Sequence, residues 1–506
     1  MVRRYAAESD ANIDVLALPV SVAAFMTPEY VAGYLGKEKP RGYDMILTPG
    51  AMRGDVTPIE ETTGVPTFKG PIHAADIPHS LGKDVQLSKV LPASDLAKEA
   101  RRKRAEEEIQ KSRRDALRLV GEHDGLVIGS GDKAIPVGAG APMPVIAEIV
   151  NAPIRGADEI VRLSRYYEEE GANIIDIGMF ASSPMPDRVP SLIEMVRGAT
   201  SLPVSIDTLD STEIASAATE GIDLVLSLDA GNMKVAARVL ADTPVVILPS
   251  NMRRGNLASD PRKRVAHLLR NIKRARGLGL NKVIADPVLE PAISPGLMNS
   301  LTAYRLFREK DQTTPILFGL GNVTELMDVD SPGVNGLLAA LAQEVGANLL
   351  FTPEFSDKAR GSVRELATAS MMMFLAERRG TPPKDLGMDL LLLKEKRKTE
   401  EPRAGHAGAS VVEAAKDAEF HPDASGWFRI QIDRDAGLIE ALFYRPGREE
   451  PEVMVRGAEA TEVYQTIIRG GLIKSLDHAA YLGRELEKSE IALKLGRSYT
   501  QEEPLF

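Results

Sequence analysis

Between about residues 144 and 351 the apolar positions come in short bursts, separated by longer stretches with helical spacing. The bursts are PVIAEIV (Pro144–Val150), ANIIDIG (Ala172–Gly178), PVSID (Pro203–Asp207), IDLVLSL (Ile222–Leu228), PVVILP (Pro244–Pro249), NKVIADP (Asn281–Pro287), PILFG (Pro315–Gly319) and ANLLF (Ala347–Phe351). Each is too short for a helix and lacks in-and-out alternation, as parallel strands covered on both faces should. Helix-compatible segments follow them, among them Asp158–Glu170, Ser211–Glu220, Pro261–Gly277 and Gly333–Val345. Such β-then-α units, repeated over about 240 residues, predict an α/β fold centred on a closed (β/α)8 TIM barrel.

The flanks carry different patterns. Residues 1–94 read as a small, flavodoxin-like α/β domain, with strands at Asp14–Pro19, Met45–Gly50 and Val65–Gly70 and helix starts at Thr27-Pro28-Glu29 and Thr57-Pro58-Ile59-Glu60. The chain opens in the helical VRRYAAES, where a layered sheet would normally place a strand first, so an N-terminal strand is expected to be missing. Residues 95–120 mix both charges with sparse apolar positions and predict a solvated linker helix. The barrel domain is assigned to 121–380. At its start Gly129-Ser130-Gly131 resembles a dinucleotide loop, but Pro136 and Pro142 stand where that motif needs a helix, so a hairpin is expected. A charged, Pro- and Gly-containing linker at 381–424 leads to an α+β module at 425–506. There Trp427–Arg434 and Leu438–Arg445 form a hairpin, Glu452–Gly457 a third strand, and Ala460–Arg469 and Leu476–Leu495 two helices.

Composition narrows the chemistry. The chain of 506 residues is 43% hydrophobic and 26% charged, ordinary for a folded protein with large cores. No apolar run approaches the roughly 18 to 20 residues of a membrane span, and the start has no signal-peptide core, so a cytoplasmic protein is expected. With no cysteine, thiolate nucleophiles, disulfides and thiolate metal sites are excluded. A net charge of -10 makes nucleic acid or an anionic membrane a poor partner.

Active sites of such barrels lie at the C-terminal ends of the strands. Those ends supply Asn151, Asp176 with Ser182 and Ser183, Asp207-Thr208, and Ser227 with Asp229 and Asn232. The second half adds Ser250-Asn251, Asp286 with Glu290, Asn322 with Thr324 and Glu325, and Thr352 with Glu354 and Lys358. No histidine stands among them, which disfavours a histidine-held metal or a histidine-centred triad. Carboxylates and amides suit a flat heterocycle with adjacent N–H donors, such as a pterin, because a carboxylate accepts two parallel hydrogen bonds and Asn both donates and accepts. Polar residues at strand ends also cap helices, the role expected of Asp210 and Ser211.

Four segments resemble the dihydropteroate synthase superfamily of pterin-binding barrels: IAEIVNAP ending at Pro153, GANIIDIGMFASSP (Gly171–Pro184), LPVSIDT (Leu202–Thr208) and VIADP (Val283–Pro287). The resemblance implies that Asp207 and Asp286 hold a pterin together with Asp176, Asp229 and Asn322, and that Asn151, Ser182 and Arg360 serve a diphosphate and Mg2+. Departures accompany it. The Asn expected after the fourth strand is absent or displaced in Leu226-Ser227-Leu228-Asp229, and Gly319-Leu320-Gly321-Asn322-Val323-Thr324 replaces a Ser-Arg-Lys element. That string is closer to the corrinoid methyltransferases of the same superfamily, in which an Asn serves the pterin N5 region. The three-part layout, with HAAYLGRELEKSEIAL at His478–Leu493, resembles the dihydropteroate synthase-related proteins of archaea.

Two activities follow as expectations. One is a transferase that condenses a dihydropterin diphosphate with an arylamine in tetrahydromethanopterin biosynthesis, with Lys358 or Arg360 standing in for the missing lysine. The other is methyl transfer from a tetrahydropterin to a corrinoid protein, with Asn322 catalytic. A non-catalytic pterin-binding subunit is the third reading. His478 is read as structural before catalytic, and the oligomeric state is open, a homodimer included.

Overall fold

The computed structural model describes residues 2–9, 11–20, 26–80, 87–96, 98–122, 126–138, 140–240, 242–251, 254–255, 257–394, 410, 412–414 and 423–506. The chain forms two compact units, Met1–Lys396 and Arg397–Phe506. Most of the expected linker at 381–424 lies outside the described residues.

In the first unit, β1 (Ile46–Thr48) and β2 (Thr67–Lys69) pair in parallel, beside helices Pro28–Glu38 and Thr57–Thr63. The helices start where the sequence places Thr-Pro pairs; Thr27 caps the first by accepting the Tyr30 N–H, and Pro28 loses nothing at a position whose N–H is unpaired anyway. The expected strand at Asp14–Pro19 does not form: the segment is irregular, Leu16 is exposed, and among the described residues no strand pairs with it. The helix Lys98–Glu122 is less solvated than expected. Ala105, Ile109, Ala116 and Val120 bury one stripe at helical spacing, and Glu108 pairs with Arg378 and Arg379 of the last barrel helix, Ser362–Arg379.

A hairpin of β3 (Leu126–Ile128) and β4 (Ile135–Val137) follows, as the prolines demand. Next come β5 (Val145–Ile149), β6 (Ile174–Gly178), β7 (Val204–Asp207), β8 (Leu224–Leu228), β9 (Val245–Ile247), β10 (Val283–Ala285), β11 (Leu317–Gly319) and β12 (Leu349–Pro353). They form one eight-stranded parallel sheet in the order β10-β9-β8-β7-β6-β5-β12-β11. The bridge between Ala285 and Ile316 joins its two ends, so the sheet is a closed barrel.

Side chains alternate across each barrel strand. Outward residues such as Val145, Ile175, Ile177, Val225, Ile247 and Phe318 pack under the helices in the main core. Ile146, Ile174, Leu224, Leu226, Val246, Ile284, Leu317 and Leu349 face inward and cluster with Leu126, Ile128 and Val137 of the hairpin. The hairpin plugs the N-terminal end of the barrel: Gly129 lies against Pro203 and Gly138 against Asn348, each just ahead of a strand. Apolar filling at one end leaves the other for polar inward positions.

The second unit is an antiparallel sheet of β13 (Trp427–Asp433), β14 (Leu438–Tyr444) and β15 (Val453–Gly457), covered on one face by helices Ala460–Arg469 and Leu476–Leu495. Phe428, Ile430, Ile439, Ala441 and Phe443 meet Val463, Ile467, Leu482 and Leu486 in its core. His478 is buried there, its Nδ1 3.5 Å from Asp423 Oδ2 and its ring against Phe428 and Tyr481. Among the described residues no helix is long and apolar enough to cross a membrane.

Candidate functional site

Following the inward positions toward the strand ends turns Ile146 into Glu148, Ile174 into Asp176, Ser205 into Asp207 and Ile284 into Asp286. Register brings the first three together: Glu148 is paired with Asp176, Asp176 with Ser205, and Gly178 with Asp207. One carboxylate oxygen from each of Glu148, Asp176 and Asp207 lies within 4.8 Å of the others, and no other such group of three occurs among the described residues. The Ser205 hydroxyl donates to Asp176 Oδ1 at 2.5 Å, while Asp176 Oδ2 is buried without a hydrogen-bond partner.

Burial shifts all four acids upward, and repulsion between neighbouring carboxylates adds to it at Glu148, Asp176 and Asp207. Burial, then the charges of Asp207 and Glu325, push Glu148 up to about 8. Asp176 lies well above the usual carboxylate range because it is buried and faces Asp207 and Glu148, against which the Ser205 hydroxyl works. Burial and the neighbouring Asp286 raise Asp207 to about 7. Asp286 reaches about 6 through burial, opposed by the Val288 N–H, the Tyr304 hydroxyl and the charge of Arg264.

Asp286 is held firmly. Its Oδ1 accepts from the Val288 N–H at 2.7 Å and from the Tyr304 hydroxyl at 3.0 Å, Tyr304 arriving from the helix Leu297–Lys310. Beneath the same loop the wholly buried Arg264 donates to the Val288 carbonyl and pairs with Glu290 at 2.5 Å. Asn322 sits across this loop, its amide donating to the Leu289 carbonyl at 2.9 Å.

The remaining expected residues are distributed differently. Asp229 serves its own turn, accepting from the Gly231 and Asn232 N–H groups and the Ser250 hydroxyl. Asn151 adopts a left-handed conformation, φ 55°, at the start of the turn Ala152–Ile154. Ser182 and Arg360 are exposed, and no hydrogen bond or ion pair joins either to Asn151 among the described residues. Lys358 reaches Asp328 at 2.7 Å, a residue whose side chain is 99% exposed. Asp210 caps its helix as expected, accepting from the Thr212 and Glu213 N–H groups. As a test of fit for Mg2+, an oxygen-only set belongs with a hard cation, and the residues that gather oxygens are Glu148, Asp176 and Asp207 rather than the expected Asn151, Ser182 and Arg360.

Glu148 is the residue that reading the sequence missed. Its signal was an acid inside the apolar run PVIAEIV, two positions after an inward Ile, and only knowledge of which face is inside gives that acid meaning. Tyr304 and Arg264 carry no such signal, since they come from helices, whereas Glu325 stood among the strand-end candidates.

The sequence pattern of the family described as "Pterin binding enzyme" matches residues 152–349. Two further patterns, "PterinBD-DUF4346" and a family of unknown function (DUF6513), match 422–502 and 4–72. An uncharacterized protein of Methanocaldococcus jannaschii, MJ0107, is 40% identical over 508 aligned residues, 98% of this chain and 94% of that one. A Ycf91-like protein of Nostoc is 33% identical over 105 residues, 16% of this chain and 83% of that one. Among solved structures, the Yersinia pestis dihydropteroate synthase with a pterine-sulfa conjugate covers 50% of this chain and 100% of its own at 17% identity and TM-score 0.40. The Xanthomonas albilineans dihydropteroate synthase in complex with 7,8-dihydropteroate covers 48% and 95% at 18% identity and TM-score 0.38. The chain belongs to the family of the archaeal MJ0107, and its residues 152–349 carry the pterin-binding pattern.

Proposed function

We propose that the barrel is a transferase that holds a pterin between Asp207 and Asp286 and joins a dihydropterin diphosphate to an arylamine, as a step toward a tetrahydromethanopterin-type cofactor. The observation that carries this reading is the placement of two carboxyls at inward positions of one mouth, Asp207 beside the charge of Asp286 and Asp286 fixed by Tyr304. A carboxylate accepts two adjacent ring N–H groups, and an acid poised near neutrality also donates when protonated, so the pair matches both the donors and the acceptors of a pterin edge. In the reaction the amine lone pair forms a C–N bond at the exocyclic methylene, the C–O bond to diphosphate breaks, and diphosphate leaves with that electron pair. The ammonium proton then passes to a carboxylate or to water. The protein orients the two reactants and excludes competing water.

Methyl transfer from a methyl-tetrahydropterin to a corrinoid protein is the second reading, favoured by one observation. The mouth is lined by acids, and Lys358, the expected stand-in for the missing lysine, is turned to Asp328. Calorimetric titration of the full-length protein with a dihydropterin diphosphate and with a methyl-tetrahydropterin separates the readings. Tighter binding of the diphosphate supports the synthase; binding of the methylated pterin alone supports methyl transfer; binding of neither ends both.

A further inference from the structure

The carboxylates of Glu148, Asp176 and Asp207 converge within 4.8 Å on neighbouring strands. An acidic cluster by itself is no site, but an unpartnered buried atom within it points to a guest. Asp176 is wholly buried and its Oδ2 has no hydrogen-bond partner, whereas buried polar atoms in folded proteins are nearly always paired. Gly178, on the strand of Asp176, leaves the space that Glu148 fills: a Cβ there would lie 2.2 Å from Glu148 Oε1. Among the described residues, the basic side chains of Arg264, Arg155 and Lys358 are engaged elsewhere than with the cluster. Arg264 is engaged with Glu290 and Ser300, Arg155 with Glu159 and the Val150 carbonyl, and Lys358 with Asp328.

We propose that Glu148, Asp176 and Asp207 form a divalent-cation site that takes Mg2+ or Mn2+. Oxygen-only ligation suits these hard ions, and the set offers neither the imidazole nor the thiolate that favours zinc. The proposal deepens the synthase reading, on which it rests for the purpose of the ion: a cation there supplies the positive charge that a departing diphosphate requires.

The test uses the full-length protein stripped with EDTA and titrated with Mn2+, following the free-ion signal by electron paramagnetic resonance. The wild type is expected to show one saturable site above the background of surface acids. Glu148→Gln and Asp176→Asn should weaken it at least tenfold, and so should Gly178→Ala, which displaces Glu148 without removing a ligand. Glu365→Gln, a buried acid elsewhere in the barrel, should leave it unchanged. Absence of a saturable site in the wild type, or wild-type affinity in Glu148→Gln and Gly178→Ala, overturns the proposal. Should the variants fail to fold, the wild-type melting temperature decides: a rise with Mg2+ supports the site and no rise overturns it. Pterin binding is measured in parallel on the stripped protein. A pterin complex without a Mn2+ site removes the ion and keeps the pterin reading, while Mn2+ binding without pterin binding does the reverse.

Discussion

At the barrel mouth Glu148, Asp176 and Asp207 bury their carboxylates against one another with one serine hydroxyl among them, whereas the C-terminal domain buries Asp423 and Glu485 among donors. Asp423 accepts the N–H groups of Ser425, Lys474 and Ser475. Glu485 accepts from Lys488, Arg484, Tyr499 and the Glu502 N–H. Burial would raise all of these groups. In the C-terminal domain the donors outweigh it and both acids are held below their ordinary values, while at the mouth like charges add to burial and the acids rise. Satisfied acids tie a loop to a helix or a helix to the chain end; unsatisfied ones cost stability, and folds keep such costs where a ligand is to be met.

The change expected to have the largest effect is Asp286→Asn. An amide oxygen still accepts from Val288 and Tyr304, so the fold should persist. A pterin edge with two donors, however, meets an NH2 group in place of one acceptor. Pterin affinity should fall by about 2 to 4 kcal/mol, read by calorimetry on a variant whose melting temperature is unchanged; equal affinity would remove the pterin from this site.

Next in size is the opposite pH dependence of the two regions. Asp207, raised to about 7, binds its proton in the folded state where the unfolded chain has released it, so its contribution to stability falls as pH climbs from about 4 to about 7. Asp423 is lowered, so its contribution is full above the ordinary carboxylate value and disappears as pH drops through its folded value. Hydrogen exchange on the full-length, metal-free protein, corrected for intrinsic rates, should therefore show barrel protection weakening from pH 5 to 8 while the C-terminal domain stays constant. Barrel protection that grows over that range would contradict the assignment.

The two regions also differed in how far the sequence disclosed them. All eight barrel strands and both C-terminal helices were legible, because buried parallel strands and amphipathic helices leave strong patterns over several residues. Strand starts drifted inward by one or two residues where a proline or asparagine opened the run, as at Pro144, Pro244 and Asn281. The site was legible only in part. Asp207 and Asp286 stand at strand ends and announce themselves; Glu148 stands inside a strand; and Asp229 carries the same label as Asp207 while its oxygens are occupied by its own turn. Which polar residue faces a ligand and which faces the backbone is decided by three-dimensional neighbours that local pattern does not contain.

Asp423→Ala probes the satisfied side. Removing its carboxylate leaves three backbone N–H groups short of an acceptor, at a cost on the order of 1 to 3 kcal/mol to the C-terminal domain. Denaturant unfolding followed by Trp427, the single tryptophan and a residue of that domain, reports the loss. Pterin affinity should be untouched, and a parallel loss of it would show that the domain contributes to the site.

The smallest expected effect belongs to Lys358→Ala. Its partner Asp328 is almost fully exposed, and ion pairs of that kind contribute about 0 to 1 kcal/mol, so stability should hardly change. The informative measurement is affinity for a dihydropterin diphosphate with Mg2+ present. Were Lys358 the cation that faces the departing anion, it would have to leave Asp328 on binding, and its removal would cost the variant its preference for the diphosphate over the unphosphorylated pterin. With the positive charge supplied instead by an ion at Glu148, Asp176 and Asp207, the variant keeps that preference and Glu148→Gln loses it. Loss in the lysine variant alone would return the anion to the rim of the barrel and leave the buried carboxylates to the pterin.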